Sequence, residues 1–469
     1  MSNIERDSIC VYGHFSQPPR GNPLTGEIGQ EPSAAPFANW NDRISDSCYR
    51  PNAEEENFKR ISFSFGEYLL AWLEAQRPQV YQTIIASDAP EGENPTRGNA
   101  LATAYHHTIL PLARRRDKRT QILWGIAAFE HRFGRKPLGF WLPEMAVDTE
   151  TLALLADAGI QYTLLAEQQI RQLPINGGAG PYQVKLTGGR SIAVFVRNDH
   201  LSSEISFNIH NLGGAGHWSR NVLGPARKAS GPLLLLATEG ETFGHHRVGE
   251  DQFLRWLISH EAPAVGFAVT NLDNYFVESS SEQKVQINEP SSWSDQRGLA
   301  NWATGQANDG KDTTWKGALR RALDNVASEI DRAYEDLARS LKVDPWDLRD
   351  QYAPVLLGAM EADAFIAQQA PDADEKTAKQ LGMFLAAQEL AQRMYTSYTF
   401  TNDSLDSSQP RYAIACAAAA LSLAQQATGL DIAERFAPDL AVVTSTNSNV
   451  GGTEILRQVV EEFDLKLAE

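Results

Sequence analysis

The sequence predicts an α/β fold built on a parallel sheet and followed by an all-helical module. Three observations carry this reading. Short apolar runs alternate with helical stretches through the first part of the chain, the pattern of parallel strands joined by crossover helices. Two of those helical stretches stop on a glycine, the residue that a helix C-terminus favours. After about Trp315 the texture changes to long Ala-, Leu-, Gln- and charge-rich segments with apolar residues at three- and four-residue steps.

Taken in order, the strand-like runs are 8–14, 138–144, 161–166, 191–196, 232–238 and 264–270. Between them, 118–133 reads as a helix ended by Gly134 and then Pro137, and 148–158 as a helix ended by Gly159. The Gly-rich pieces 176–181 and 211–217 read as loops without an assigned role. Residues 278–311 are rich in Ser, Asn, Asp and Gly but carry Trp293 and Trp302, and long connections with such tryptophans tend to be functional loops. Helices are expected over 313–341, 350–368, 375–395 and 411–428, with Pro345 of Asp344-Pro345 suited to a first helical position. No repeat of solenoid period is visible.

The chain has 469 residues, 42 Lys and Arg against 59 Asp and Glu, and a formal charge of −17. That length suits two to three domains, or one large α/β barrel with an appended module. The acidic excess argues against a nucleic-acid backbone as partner, because such binding rests on surplus Lys and Arg releasing counterions. Cys10, Cys48 and Cys416 lie far apart without CxxC spacing, so neither a zinc knot nor a disulfide framework is expected. The N-terminal stretch lacks the apolar core of a signal peptide, and no uncharged apolar run reaches membrane-spanning length. A cytoplasmic protein without a membrane partner is the expectation.

Three groups of reactive residues end expected strands. His14-Phe15-Ser16-Gln17-Pro18-Pro19 follows the first, Trp141-Leu142-Pro143-Glu144 follows 138–140, and Glu239-Gly240-Glu241-Thr242-Phe243-Gly244-His245-His246 follows the leucine run 233–236. In a (β/α) barrel the C-terminal strand ends converge on one mouth, where side chains from different strands meet. A fourth polar stretch, Gly98-Asn99-Ala100 with Tyr105-His106-His107, is a candidate for the same mouth. Two carboxylates from separate strands are what glycosidic cleavage requires, one attacking or activating water and the other donating a proton. Glu144 supplies one; Glu239 or Glu241 supplies the other, and these two share a face if the strand continues through them. The Trp141 ring suits stacking on a sugar, and His14 and Gln17 suit hydrogen bonds to hydroxyls. The plainer reading of a strand-end Glu is a solvated or helix-capping group. Imidazole with carboxylate also makes metal sites, but no HExxH-like ligand spacing occurs. GxSxG and GxxxxGK[ST] are absent too, which counts against serine hydrolases and P-loop nucleotide binding.

Together these motifs resemble glycoside hydrolase family 57, whose members act on α-glucans and related α-glycosides, and in particular its little-characterised bacterial branch with an HFxQPP first motif. His14-Phe15-Ser16-Gln17-Pro18 is similar to the family's HQP motif with an insertion, and Gly98-Asn99-Ala100 to its second. Gly139-Phe140-Trp141-Leu142-Pro143-Glu144 resembles the nucleophile motif, and 239–245 the DxExFGH acid/base motif. Residues 288–302, with Ser291-Ser292-Trp293-Ser294, and Met394-Tyr395-Thr396-Ser397 resemble the branch as well.

The resemblance implies an incomplete (β/α)7 barrel over 1–277, a Trp-containing connecting loop over 278–312 and a helical C-terminal domain over 313–469 that packs on the mouth. It implies a retaining hydrolase or transferase with no metal and no cofactor, acting on an oligo- or polysaccharide. Glu144 is then the nucleophile and Glu239 the acid/base, with His14, Gln17, Trp141, Glu241, His245, Trp293 and Trp302 contacting substrate. One departure stands out: the family has Asp where this chain has Glu239. The arm is one methylene longer, in a mechanism that holds its carboxyls about 5–5.5 Å apart. Two alternatives compete, a glucan-binding homologue with weakened chemistry and a metal-dependent carbohydrate deacetylase. The oligomeric state is not legible in the sequence.

Overall fold

All eight residues of strand β1 (Ser8–Phe15) are buried. A strand with no solvent face must be covered on both sides, as in parallel α/β sheets. β1 is the centre of the first sheet. It runs parallel to β8 (Leu233–Glu239) along one flank, in a register that pairs Ser8 with Leu233 and His14 with Glu239. Its other flank is shared by β9 (Ala268–Val269) beside Ser8 and Ile9 and β2 (Ser62–Phe65) beside Tyr12 to Phe15, both parallel. The second sheet has the order β10-β6-β7-β5-β4-β3, formed by Lys284–Val285, Tyr182–Lys185, Ser191–Arg197, Tyr162–Ala166, Gly139–Trp141 and Ala102–Thr103. Only β6 against β7 is antiparallel there.

The structure, a computed structural model, describes residues 7–88, 97–175, 177–279, 282–308, 311–429 and 433–467. The N-terminal six residues, Asn176 of the first Gly-rich loop, and residues 280–281 and 309–310 of the expected connecting loop lie outside them.

The described strands form two α/β sheets and a separate two-stranded pair, Ala307–Asn308 with Lys311–Asp312, and no closed barrel is seen among them. Among the described residues, a few backbone hydrogen bonds join the edges of the two sheets. The Phe63 amide donates to the Asn99 carbonyl at 2.9 Å and the Leu101 amide to Phe63 at 2.7 Å, while on the far side the Asn198 amide donates to Leu235 at 2.8 Å. β3 has two residues and β2 four, too few for a ladder on both edges. The inner faces nevertheless share one core, in which Tyr12, Trp141, Tyr162, Phe195 and Leu235 are buried together. Gly139 has a steric reason: a Cβ there would come 2.4 Å from the Tyr162 ring.

The chain divides into two units that interleave along the sequence. One comprises residues 1–17, 29–104 and 129–296; the other comprises 18–28, 105–128 and 297–469. Within the second unit, polar ties hold 105–128 to the C-terminal helices. Arg114 and Arg116 both reach the Asp331 carboxylate, and Arg349 pairs with Asp117 at 2.8 Å. Helices Trp315–Ser340, Glu375–Arg393 and Ser408–Thr428 form this second unit's centre, and the run Ala413 to Ala420 in the last of them is wholly buried. The single helix expected over 350–368 is broken into Pro345–Asp350, Ala353–Leu356 and Ala362–Gln369, with Gly358 in a left-handed turn at φ 66°. Asp344 caps the first of these pieces, accepting from the Trp346 and Asp347 amides at 2.9 Å each. Among the described residues, no helix is long and apolar enough to cross a membrane.

Candidate active site

Parallel pairing brings the C-terminal ends of β1 and β8 side by side, so His14 and Glu239 are register partners. The His14 ring is buried, with Nδ1 2.7 Å from the Ser64 hydroxyl at the matching position of β2. It stacks on Trp141 at 5.0 Å and 20°. Tyr12, two residues earlier on the same strand face, stacks on Trp141 in the same way and also meets Ser64. Trp141 is fully buried, with Tyr12 and His14 stacked against its indole.

β4 ends at Trp141, and the chain turns sharply at Pro143–Met145, where Glu144 has φ 57° and ψ 21°. Left-handed backbone is costly for a non-glycine residue, and such strain persists where surroundings hold it. Here the segment around Trp293 does so. The Trp293 indole N–H donates to Glu144 Oε2 at 2.9 Å, and its backbone amide donates to the Glu144 carbonyl at 3.3 Å. The Glu144 carboxyl is raised to about 7, chiefly by burial and then by the charge of Glu239, against the lowering pull of hydrogen bonds from Trp293 and Ser294.

β8 ends at Glu239, and a tight turn follows at Gly240–Thr242. Since the strand does not continue, Glu239 and Glu241 do not share a face. Glu239 is about half exposed, 52%, with the His246 Nε2 3.9 Å away. Glu241 is buried, and its Oε1 accepts from the Ser16 amide at 2.9 Å, the Tyr49 hydroxyl at 2.7 Å and Gln17 Nε2 at 3.5 Å. Burial pushes the Glu241 carboxyl up to about 8; the Tyr49 hydrogen bond lowers it and the charge of Glu239 raises it. Gln17 thus belongs with Glu241 as a brace between the first and third motifs. His245 is partly buried, with its amide donating to the Glu241 carbonyl at 3.0 Å and its ring edge-on to Trp40 at 5.9 Å.

Trp302 falls in the other unit, buried, its indole N–H donating to Thr401 at 3.3 Å. Tyr105, His106 and His107 belong to that unit too, with His107 Nδ1 2.6 Å from the Ser397 hydroxyl. Sequence reasoning missed Ser64, Tyr49 and Arg197. Ser64 lies in a strand of only four residues, and Tyr49 in a helical stretch 192 positions from Glu241. Arg197 ends β7, as the motif residues end their strands, and that position was the available signal. Among the described residues, no group of three His, Cys, Asp or Glu is placed to hold a metal ion.

Residues 27–273 match the family model of glycosyl hydrolase family 57, and residues 312–469 match a domain of unknown function (DUF3536). A curated relative, alpha-amylase 1 of Dictyoglomus thermophilum, is 28% identical over 106 residues, which is 22% of this chain and 15% of that protein. The chain spans between 15% and 26% of the length of the curated relatives it matches. Two solved structures share the fold at 15% identity. The exo-type maltose-forming amylase of Pyrococcus sp. ST04 aligns with a TM-score of 0.72 over 92% of this chain and 83% of that one. The branching enzyme of Pyrococcus horikoshii aligns with a TM-score of 0.59 over 98% and 95%. The family match covers more than half of the chain and takes in β2 through β9, with both the Glu144 turn and the Glu239 turn inside it. This chain is a member of glycosyl hydrolase family 57.

Proposed function

We propose that the protein is a retaining enzyme acting on α-glucans or related α-glycosides, as a hydrolase or a glucanotransferase. The observation that carries this is geometric: His14, the register partner of Glu239 at the end of β8, stacks on Trp141, which ends the strand leading into the Glu144 turn. Amylase and branching-enzyme relatives support the α-glucan as substrate class.

In this reading the Glu144 carboxylate attacks the anomeric carbon as the bond to the leaving oxygen breaks, and Glu239 gives that oxygen its proton. Water or a sugar hydroxyl then attacks the glycosyl ester, losing its proton to Glu239 and freeing Glu144. Two inversions give net retention. Trp293 and Ser294 hydrogen bonds favour the ionised nucleophile, and His14, held by Ser64 and Trp141, is a fixed partner for a sugar hydroxyl. Both chemical roles are filled by carboxyls, so the reaction needs no metal. We further infer that β1, β2, β3, β4, β5, β7 and β8 form an incomplete seven-stranded barrel, supported by the backbone hydrogen bonds that join the two sheets on either side. Three buried free cysteines fit a reducing cytoplasm.

The raised Glu144 favours a second reading with the roles exchanged, Glu144 donating the proton and Glu239 attacking. Incubation with maltooligosaccharides and glycogen, read by product chromatography with and without EDTA, tests the activity. New oligosaccharides unaffected by EDTA are expected. Acetate release, or activity lost on chelation and restored by zinc, contradicts the proposal.

A further inference from the structure

Arg197 closes β7 and is buried, its guanidinium held at Nε, at Nη1 and on one face. Nε donates to Asp199 Oδ1 at 2.7 Å, and Nη1 donates to the carbonyl of Ala237, two residues before Glu239 on β8, at 3.1 Å. The remaining face lies over the Trp293 ring, with Cζ 4.8 Å from its centroid. The Trp293 indole N–H, in turn, is the group that donates to Glu144.

A second path joins the same residues. Asp199 Oδ2 accepts from the Gln168 amide at 3.2 Å, and the Gln168 side chain donates to the Trp293 carbonyl at 2.7 Å and the Ser292 carbonyl at 3.1 Å. Arg197 and Asp199 therefore fix Trp293 both through its ring and through its backbone. A cation over an indole face is attracted by the ring's negative face and draws electron density from the ring, which makes the N–H at its edge a stronger donor. A stronger donor to a carboxylate favours its ionised form.

Resting on the function proposed above, we propose that Arg197 is a positioning residue for the nucleophile: acting through Trp293, it aims the indole N–H at Glu144 and keeps that carboxyl ionised and oriented for attack. Arg197 does not touch the reacting atoms in this role. Its effect belongs to the chemical step and to the ionisation of Glu144, not to substrate affinity. The raised level of the Glu144 carboxyl, about 7, gives such a device something to correct, since a nucleophile must be deprotonated to act.

The test is the pH dependence of kcat and kcat/KM on the best substrate found, for wild type, Arg197→Met, Arg197→Lys, Trp293→Phe and the Arg197→Met/Trp293→Phe pair. Melting curves establish that each variant folds. Arg197→Met and Trp293→Phe are each expected to lower kcat by about tenfold or more, with KM changed less than about threefold. Each should move the acid limb of the profile up by about one pH unit. The double variant should be no worse than the poorer single one, because both remove the same bond. Arg197→Lys should recover part of the loss. An acid limb that stays in place, additive losses in the double variant, or a rise in KM at unchanged kcat overturns the proposal. If Arg197→Met fails to fold, Trp293→Phe must still move the acid limb, and a limb unmoved by it rejects the inference. A wild type with no glycosidic activity rejects the proposed function instead, so the two failures are distinguishable.

Discussion

The Tyr49 hydroxyl donates to Oε1 of Glu241 at 2.7 Å, tying the helical turn around Cys48 to the turn that follows Glu239. Glu241 ordinarily titrates near 4.5 and is raised to about 8 in the fold, chiefly by burial. Between those values the folded chain holds a proton that the unfolded chain has released, so this group's contribution to stability falls as pH rises through the window. Glu241→Gln keeps the acceptor and removes the titration. The difference in melting temperature between wild type and Glu241→Gln should shift in favour of the variant from pH 5 to pH 9. Parallel curves would show that Glu241 is not protonated in the folded protein. Tyr49→Phe leaves the carboxyl short of a donor and should cost about 1 kcal/mol.

Gly240 is fixed by the first motif. A Cβ at this position would come 2.4 Å from the Phe15 ring, and that ring is itself packed against Phe65 and Phe58. Gly240→Ala should therefore destabilise by roughly 1–3 kcal/mol in urea unfolding. Adding Phe15→Leu should return part of that loss. A Gly240→Ala protein as stable as wild type would mean that the β8 turn moves freely past β1.

The acid limb of kcat/KM should fall near pH 7. Activity rises as Glu144 loses its proton, because the ester forms only from the carboxylate. A profile flat from pH 5 to pH 8 would contradict the raised carboxyl. A limb in which activity falls as pH rises through 7 would favour the exchanged roles.

Glu239→Gln should remove turnover. Glu239→Asp restores the arm length of the family motif and is expected to raise kcat on α-glucans, since a displacement near 1 Å can cost about 10²-fold. A slower Asp variant would show that the site has adapted to the longer side chain. Inactivity of both wild type and the Asp variant would favour a glucan-binding homologue.

What the sequence made legible follows the length of each signal. The leucine run of β8, the buried run of β1 and the long C-terminal helices carry enough residues for their period to be read, and the motif residues His14, Glu144 and Glu239 lie at or just beyond strand ends, as that pattern implied. β2, β3 and β10 have two to four residues each, too few for periodicity to show, and of the strand expected over 264–270 only Ala268–Val269 is β9. The Glu239–Glu241 alternation failed because Gly240 starts a turn against Phe15, a contact made between residues 225 positions apart. The burial of Trp141 under Tyr12 and His14 is likewise invisible locally, because an aromatic at a strand end is ambiguous until its neighbours are known. The ion pairs that tie 105–128 to the C-terminal helices, such as Arg114 with Asp331, leave no trace in local patterning.

The central claim is that Glu144 becomes covalently glycosylated. The measurement is incubation with a fluorinated glycosyl donor whose ester hydrolyses slowly, followed by proteolysis and mass spectrometry of the labelled peptide. The account predicts one adduct per chain on Glu144, absent from Glu144→Gln although that variant folds with an unchanged melting curve. An adduct on Glu239 or any other residue would contradict it, as would a Glu144→Gln enzyme retaining more than about a tenth of wild-type turnover.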